Sequence, residues 1–583
     1  MKSFFKTKIF IFATVLTSMV IVSCSDSFLE IKPAGQLAQA QLTTKAGLEN
    51  ALIGAYSYLN ANAGNSFSRL AHPNNWVFGT ICGGDANKGT DPGDFVAINE
   101  IQRYLSQPTN GEIGSSYKAK YEGIARCNSV LGLVKTPGPD VDAATAARIT
   151  AEARFLRGHY YFELKRIFNN TPYVDESTDA ATLSKVGNDV DLWPKIEADM
   201  KAAYDALPET QGSAGRANKW AAGAYYGKIL LYQKKYAEAK AAFDAVIASG
   251  KTTNGKTYAL LPKYADIFNA AFDNHAESVF AVQSAANTGA VVNSNGVDDL
   301  NYPYNTGPAG PGNCCGFNQP SITLANAFRT DANGLPLLDE SYNSTANAVK
   351  NDMGLLSTAA FTPDAGNLDP RIDHSIGRRS IPYLDWIAHP GADWIRNQAN
   401  GGPYTPKKFI YYKSQEGTLS DGTSWTRGYA TMNYCIIRFA DVLLMAAEAE
   451  IEAGSVDKAR TYVNMVRTRA ANPASWVQKD GKPAATYVIS NYTTPWTDKV
   501  AARTAVRFER KLELSGEGHR LFDLVRWGTA VTEINAYLAN ESKFLNGTLG
   551  GAVFKAGKNE YQPIPQDQID LQGASVLKQN PGY

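Results

Sequence analysis

Histidine and cysteine are scarce in this chain of 583 residues, at six each, and methionine is hardly commoner at seven. The histidines, at positions 72, 159, 275, 374, 389 and 519, form no H-E-x-x-H or H-x-H pattern, and no cysteines stand as C-x-x-C. Neither a zinc-hydrolase centre nor a structural zinc site is therefore written in the sequence. A G-x-S-x-G nucleophile elbow is lacking too. Charge of one sign is not in excess: 57 basic against 56 acidic residues leave a net +1. Such balance gives no electrostatic footprint for nucleic acid or an anionic lipid surface. Beyond residue 24 no run of 18 apolar residues occurs, which excludes a spanning helix there. A chain this long buries most of its surface and needs no disulfides to hold a core.

What is present begins at the N-terminus. Lys2, Lys6 and Lys8 precede a run from Ile9 to Val22 that is apolar apart from Thr14, Thr17 and Ser18, and it leads into Ser23-Cys24. A charged start, a short apolar stretch and a small residue before the cut describe a secretory signal. Fourteen residues fall short of the ~20 a bilayer-spanning helix requires. The ending resembles a bacterial lipoprotein signal, in which Cys24 is acylated and becomes the new terminus; the alternative is an ordinary cleavage site with a chance cysteine. Each buried lipid CH₂ contributes ~0.8 kcal/mol, so several acyl chains hold a protein at a membrane without spanning it. Cys82, Cys127, Cys314, Cys315 and Cys435 remain, an odd number. Cys314-Cys315 fits either a vicinal disulfide or two reduced thiols in a tight loop.

Helical periodicity dominates the rest. Thr43–Asn60 carries Leu48, Leu52, Ala55, Tyr56 and Leu59 at helical spacing behind a Thr cap. The same reading predicts helices over Tyr117–Val134, Ala143–Phe168, Leu192–Leu207, Trp220–Gln233, Tyr236–Ser249, Tyr434–Glu452, Val456–Arg469 and Val500–Leu514, with another after Gly518. Strand signals are few. Gly227, Tyr236, Ala239 and Phe243 lie nine, three and four residues apart, and Ala447, Val456, Ala459 and Val463 repeat those intervals. That is tetratricopeptide-repeat spacing, in which small residues let two antiparallel helices approach and bulky ones fill the gap. The expected fold is mainly all-α, a scaffold of such hairpins. Between them Ser66–Pro108, Asn287–Pro320 and Phe361–Thr431 are rich in Gly, Asn, Asp and aromatics, too aromatic for typical disorder, and they predict an elaborated surface laid over the helices.

Several motifs invite chemistry and yield to plainer readings. Gly250–Thr257 spells G-x-x-x-x-G-K-T, but a helix precedes it and Pro262 interrupts the segment after it, so the strand–loop–helix context of a phosphate site is missing. His159 and Glu163 share a helix face, where packing beside Tyr160–Phe162 is preferred to metal ligation. Asp331-Ala-Asn333-Gly334 starts like a calcium loop without the later ligands and reads as a turn. Glu509, Glu513 and Glu517 lie four apart, a spacing open to a glycosidase pair. Interleaving with Arg507, Arg510, Arg520 and Arg526 instead predicts an ion-pair network that opposes a raised carboxyl pKa.

That segment, Glu509-Arg510 through Glu513-Leu514, Glu517-Gly518, Arg520, Asp523-Leu524 and Arg526-Trp527, resembles the SusD/RagB family of Bacteroidota outer-membrane lipoproteins. Arg438–Ala449, Glu152–Phe162, Tyr561–Pro565 and the terminal Gln579–Tyr583 agree with it in order. The resemblance implies residues 1–23 as a removed signal and 24–583 as one SusD-like domain, with an N-terminal region about 24–235 and a C-terminal region about 270–583. It implies a non-enzymatic protein, without cofactor or metal, anchored at the cell surface in the outer membrane. There it would bind an oligosaccharide and deliver it to a SusC-like TonB-dependent transporter. A lipid-anchored glycoside hydrolase, or a binder of peptides or other non-sugar nutrients, are the alternatives.

Sugars present an apolar C–H face and a rim of hydroxyls, which suit aromatic rings and Asn, Asp, Gln or Arg side chains. Two loops have that composition, His72–Asn87 and Asn301–Gln319. From them Trp76, Tyr302, Tyr304 and Phe317 are candidate aromatic contacts, and Asn74, Asp85, Asn313 and Gln319 polar ones. Trp386 and Trp394 with Asp385, Asp393 and Arg396 form a second candidate patch, facing ligand or transporter. Replacing Cys24 with Ser is expected to leave a folded, ligand-competent protein that partitions into the aqueous phase on detergent extraction and no longer supports uptake; normal uptake by this variant would refute the anchor's role.

Overall fold

The computed structural model describes residues 39–288, 300–421 and 429–583, apart from 61, 64–65, 68 and 313; Cys24 and Asn313 lie outside the described residues. Helices form where the sequence supplies an apolar stripe and an oxygen-bearing cap. Thr44 accepts from the Gly47 N–H (3.1 Å) at the start of α1 (Lys45–Tyr56). Asn110 accepts from Glu112 and Ile113 at α2 (Gly111–Leu133), and Asp142 from Thr145 (2.7 Å) at α3 (Ala143–Phe168). Each cap satisfies amide donors that a helix start leaves unpaired. α4 (Trp193–Ala206), α5 (Lys219–Tyr232), α6 (Tyr236–Ser249), α7 (Phe439–Ala453), α8 (Val456–Ala470) and α9 (Lys499–Glu513) continue the series. Each packs mainly on its neighbours, α1 on α2, α2 on α3 and so on to α9 on α7 and α8, the pattern of a helical-repeat stack. Two short helices, α10 (Arg520–Trp527) and α11 (Ala530–Glu541), close the motif segment, and α12 (Gln566–Gln572) lies near the C-terminus. Among the described residues no helix is long and apolar enough to cross a membrane.

The repeat spacing corresponds to contact. A Cβ added at Gly227 of α5 would stand 2.6 Å from Phe243 Cε1 of α6, so the glycine is there to admit the ring. In the second copy Ala447, Ala459 and Val463 are all fully buried between α7 and α8. Three turn residues, 233–235, separate α5 from α6, which makes the pair antiparallel.

Two predicted starts are wrong: α2 begins at Gly111, behind the Asn110 cap, and not at Tyr117. Tyr434–Arg438 begins no helix: it is strand β4, antiparallel to β2 (Ser278–Val282), with Tyr434 opposite Val282 and Arg438 opposite Ser278. The run Tyr-Cys-Ile-Ile has β-branched residues that favour a strand, and β2 supplies the partner. The N-terminal loop contributes strand β1 (Ala86–Gly89), paired with β3 (Phe317–Pro320), Asn87 facing Gln319. The two loops expected to carry ligand contacts are thus joined along their backbones. The third loop is tied on by Asn400 Nδ2 donating to Gly89 O (2.8 Å) and by Gln319 Nε2 donating to Tyr404 O (3.0 Å).

The look-alike motifs are turns and packing. Gly250 terminates α6 with its N–H on Val246 O, and Lys251 bridges Thr257 across a tight turn. Asp331 accepts from the Asn333 and Leu335 N–H groups (2.8 and 2.9 Å) in a turn closed by Gly334 at φ +79°. His159 Nδ1 meets Tyr225 OH at 2.9 Å, while Glu163 pairs with Arg166 at 2.6 Å. Cys314 and Cys315 are joined as a vicinal disulfide, with Cys82, Cys127 and Cys435 free.

Gly227→Ala is expected to lower stability by ~1–3 kcal/mol through overpacking, although alanine is the better helix former by roughly 0.5–1 kcal/mol. Chemical denaturation in a Phe243→Leu background should remove most of that cost. An equal cost in both backgrounds would show that the Gly227–Phe243 contact is not its cause.

Candidate ligand-binding face

The site's foundation is a cluster of buried charges around α9. Arg438, at the end of β4, engages all five N–H donors. Nε reaches Glu517 Oε2 (2.8 Å), Nη1 reaches Glu277 (2.9 Å) and Glu513 (2.6 Å), and Nη2 reaches Glu517 Oε1 (3.0 Å) and Glu513 O (2.8 Å). Arg371 forks onto Asp369 and also binds Glu509 (2.6 Å) and Glu513 (3.0 Å). Arg467 reaches Glu509 (2.9 Å), Arg469 bridges Glu277 and Glu513, and Lys408 reaches Glu517 (2.7 Å). Five carboxylates thus meet five basic groups, all buried, and the cluster is neutral. Burial alone would raise the Glu513 carboxyl, but Arg469, Arg438 and Arg371 hold it far below the usual range; Arg438 and Lys408 lower that of Glu517.

The sequence predicted a network here, and its membership differs from the expected one. Arg510 turns away to Asp441 (2.7 Å) and Asp523 (3.0 Å), Arg526 to Glu448 (2.6 Å), and Arg520 to Glu533 (2.5 Å). Arg507 lies over the Trp527 ring at 4.8 Å. Helical geometry is the reason. Residues adjacent in sequence point ~100° apart, so Glu509 and Arg510 serve different faces of α9.

The turn after α9 then docks on the first loop. Gly518 N–H donates to Thr80 Oγ1 (3.0 Å), Gly516 N–H to Asp85 Oδ2 (3.1 Å), and a Cβ on Gly518 would strike Asn74 O at 2.0 Å. This contact explains where several expected ligand residues went. Asn74, Trp76 and Asp85 are buried at 6, 2 and 3% exposure. Trp76 donates Nε1 to Arg69 O (3.3 Å) and meets Phe317 edge-on at 6.1 Å between centroids. The cavities beside them measure about 20 and 30 Å³, room for a water and not for a sugar ring. Burial pushes the Asp85 carboxyl upward, and its Oδ1 has no protein partner.

Tyr302, Phe317 and Gln319 are equally enclosed; the Tyr302 hydroxyl accepts from Ala430 N–H (2.8 Å). In the second expected patch the tryptophans are also interior, while Asp385, Asp393 and Arg396 are exposed. Trp386 and Trp394 belong to an apolar cluster with Tyr302, Tyr383 and Tyr411, and Trp386 Nε1 donates to Tyr411 O (3.2 Å). Aromatic and amide-rich loops here pack on one another, which leaves these ring faces covered.

Tyr304 is different. It is half-buried, its N–H donates to Trp394 O (2.9 Å), and the exposed Arg396 guanidinium lies 5.3 Å from its ring centroid. Asp91 (2.5 Å) and Asp94 (2.6 Å) clamp Arg396. From beneath, the buried Lys88 ammonium donates to the Asp91 and Asp94 carbonyls (3.1 and 2.7 Å) and burial brings its pKa down to about 8. Where Tyr304 meets solvent, its ring stands beside a fixed cation and two carboxylates that lie outside the two expected loops. Composition pointed to the loops, but only the fold separates Tyr304 from its buried neighbours. Arg396, expected in the tryptophan patch, belongs to this one.

A family model described as SusD family matches residues 276–583, more than half of the chain. The chain belongs to the SusD family. A second model, described as starch-binding associating with outer membrane, matches residues 27–231. SusD-like protein P2 of Formosa agariphila is 24% identical over 587 aligned residues, covering 98% of each chain. A SusD-like protein of Bacteroides ovatus is 25% identical over 48% of this chain and 50% of its own. Among solved structures, a SusD superfamily protein from Bacteroides vulgatus has a TM-score of 0.66 at 20% identity, covering 92% of this chain and 99% of that one. Surface glycan-binding protein A from Bacteroides thetaiotaomicron, in complex with laminarihexaose, has a TM-score of 0.64 at 20% identity, covering 92% and 100%. The helical stack with its loop layer is therefore the SusD fold.

In this SusD-family chain, Glu513→Gln is expected to cost ~3–5 kcal/mol, because it leaves buried guanidinium charge uncompensated. Depressed carboxylates in the folded state contribute stability that is fully present above the unfolded pKa of ~4.3. Glu513, Glu517 and Glu163, the last held at about 2, all act in that sense. Thermal midpoints should accordingly fall steadily below about pH 4.5, and a flat profile there would contradict the cluster's role.

Proposed function

We propose that this protein binds an oligosaccharide at the bacterial cell surface without cleaving it, and passes it to a SusC-like TonB-dependent transporter in the outer membrane, to which Cys24 tethers it through lipid. Family membership supports the carbohydrate ligand, as does the laminarihexaose complex of surface glycan-binding protein A. The observation that carries the reading in this chain is the Tyr304–Arg396 pair. A half-exposed ring offers a stacking face for sugar C–H groups, and Arg396, Asp91 and Asp94 offer a donor and acceptors for hydroxyls. Glu509, Glu513 and Glu517 do not favour the hydrolase alternative: each is buried and ion-paired, and Glu513 and Glu517 are held ionised, whereas a general acid needs a raised pKa.

Glycan-array binding followed by titration with laminari-oligosaccharides tests the reading. Tyr304→Ala is expected to weaken binding roughly tenfold or more, a change of ~1.4 kcal/mol, and Arg396→Ala less, with unchanged melting temperatures. Retained affinity in the folded double variant would remove this face from the site. Release of new reducing ends would instead favour the hydrolase, and retention of peptides but no glycan the non-sugar binder.

A further inference from the structure

A cavity of about 450 Å³ opens between α2, the segment following α3, and α12, with no residue in common with the face described above. Its size lies within the range of small-molecule sites. Tyr117 and Tyr121 of α2 form one wall, their ring centroids 4.9 Å apart and inclined at 43°. Leu183 and Leu577 add apolar surface. The charged side chains lining it are both acidic, Asp175 and Glu176.

Two donors of the lining are already engaged. Tyr121 OH donates to Pro172 O (2.7 Å) and Asn128 Nδ2 to Val174 O (3.1 Å), while Asn128 Oδ1 receives Arg157 (3.0 Å). Acceptor capacity remains. Asp175 receives Ser177 through its Oδ1, at 3.0 Å from the N–H and 2.6 Å from the hydroxyl, and Thr178 at 3.4 Å. Glu176 Oε2 receives Arg157 (2.7 Å), and its Oε1 has Lys135 at 3.5 Å. Burial would raise both carboxyls, but the Ser177 hydrogen bonds at Asp175 and the Arg157 contact at Glu176 keep each below its ordinary value.

An aromatic-walled, largely apolar cavity whose lining includes the Asp175 carboxylate complements a ligand that donates and carries positive charge. We infer that this cavity is a second binding site, for an ammonium or guanidinium group on an apolar stem. The stem lies along the tyrosines and leucines, and the head meets Asp175. Such a group is carried by a free organic amine or by a basic side chain of another polypeptide.

The test uses the full-length mature protein and calorimetric titration with pentylguanidinium, its neutral isostere pentylurea, and acetyl-Gly-Arg-Gly-amide. Saturable binding of pentylguanidinium at least tenfold tighter than that of pentylurea is expected. Asp175→Asn should reduce it about tenfold. Ala125→Trp, which fills the cavity from an exposed position on α2, should abolish it without changing the melting temperature or glycan binding. Binding of the peptide as well assigns the site to a polypeptide side chain; binding of pentylguanidinium alone assigns it to free amines. Equal affinity for the urea and the guanidinium, persistence in Ala125→Trp, or no saturable binding would each overturn the inference.

Discussion

The guanidinium of Arg438 is the group on which the two layers of this protein converge. It sits where β4 meets α7, with both carboxylates of the α9 turn and Glu277 in its five donors. Through Glu513 and Glu509 the same charges reach Arg371 of the loop layer and Arg467 and Arg469 of α8. A buried cluster of this kind is weak grounds for net stability, since desolvation of each ion costs several kcal/mol and the Coulomb gain roughly offsets it. Its consequence is geometric. With five charges of each sign, displacing any one element leaves uncompensated charge in a low-dielectric interior, so the loop layer has a single register on the helices.

That register determines which loop residues can reach a ligand. Gly516 and Gly518, carried at the end of the cluster, approach the first loop so closely that a side chain at Gly518 has no room, and they hold Asp85 and Thr80 by backbone N–H groups. Asn74 and Trp76 are enclosed by the same contact. The family's E-G element thus acts as a clamp on a loop more than four hundred residues earlier in the chain. Its chemistry belongs to assembly, and the proposed recognition falls to residues the clamp leaves outside.

Much of this was legible in the sequence where local physics decides. α3 and α6 begin and end where periodicity and capping place them, at Ala143–Phe168 and Tyr236–Ser249, and the Gly227–Phe243 spacing identifies a real contact. Reading stopped where the outcome depends on a distant partner. Tyr434–Arg438 is a short apolar run, ambiguous between helix and strand until β2 lies beside it. Glu509, Glu513 and Glu517 form the expected ion-pair network, but their partners come from four other segments and not from the neighbouring arginines. Exposure was the least legible property. Trp76 and Tyr304 occupy loops of the same composition, and nothing local distinguishes a ring packed on Phe317 from one under an exposed arginine.

The clamp also bears on how the exposed face works. Tyr304 is fixed by its N–H on Trp394 O, and Arg396 by two carboxylates whose own loop is held from below by Lys88. Flexible sugars lose conformational freedom on binding, and a receptor that must also order its side chains adds roughly 0.5–1.5 kcal/mol for each. Here Arg396 is already held by Asp91 and Asp94 in the free protein. On the proposed reading, a shallow face of one ring and three charged groups offers little area, so affinity would depend on this preorganisation more than on the extent of contact. The buried charges and the exposed pair are then two ends of one requirement: a loop surface held in a single arrangement by interactions that admit no other.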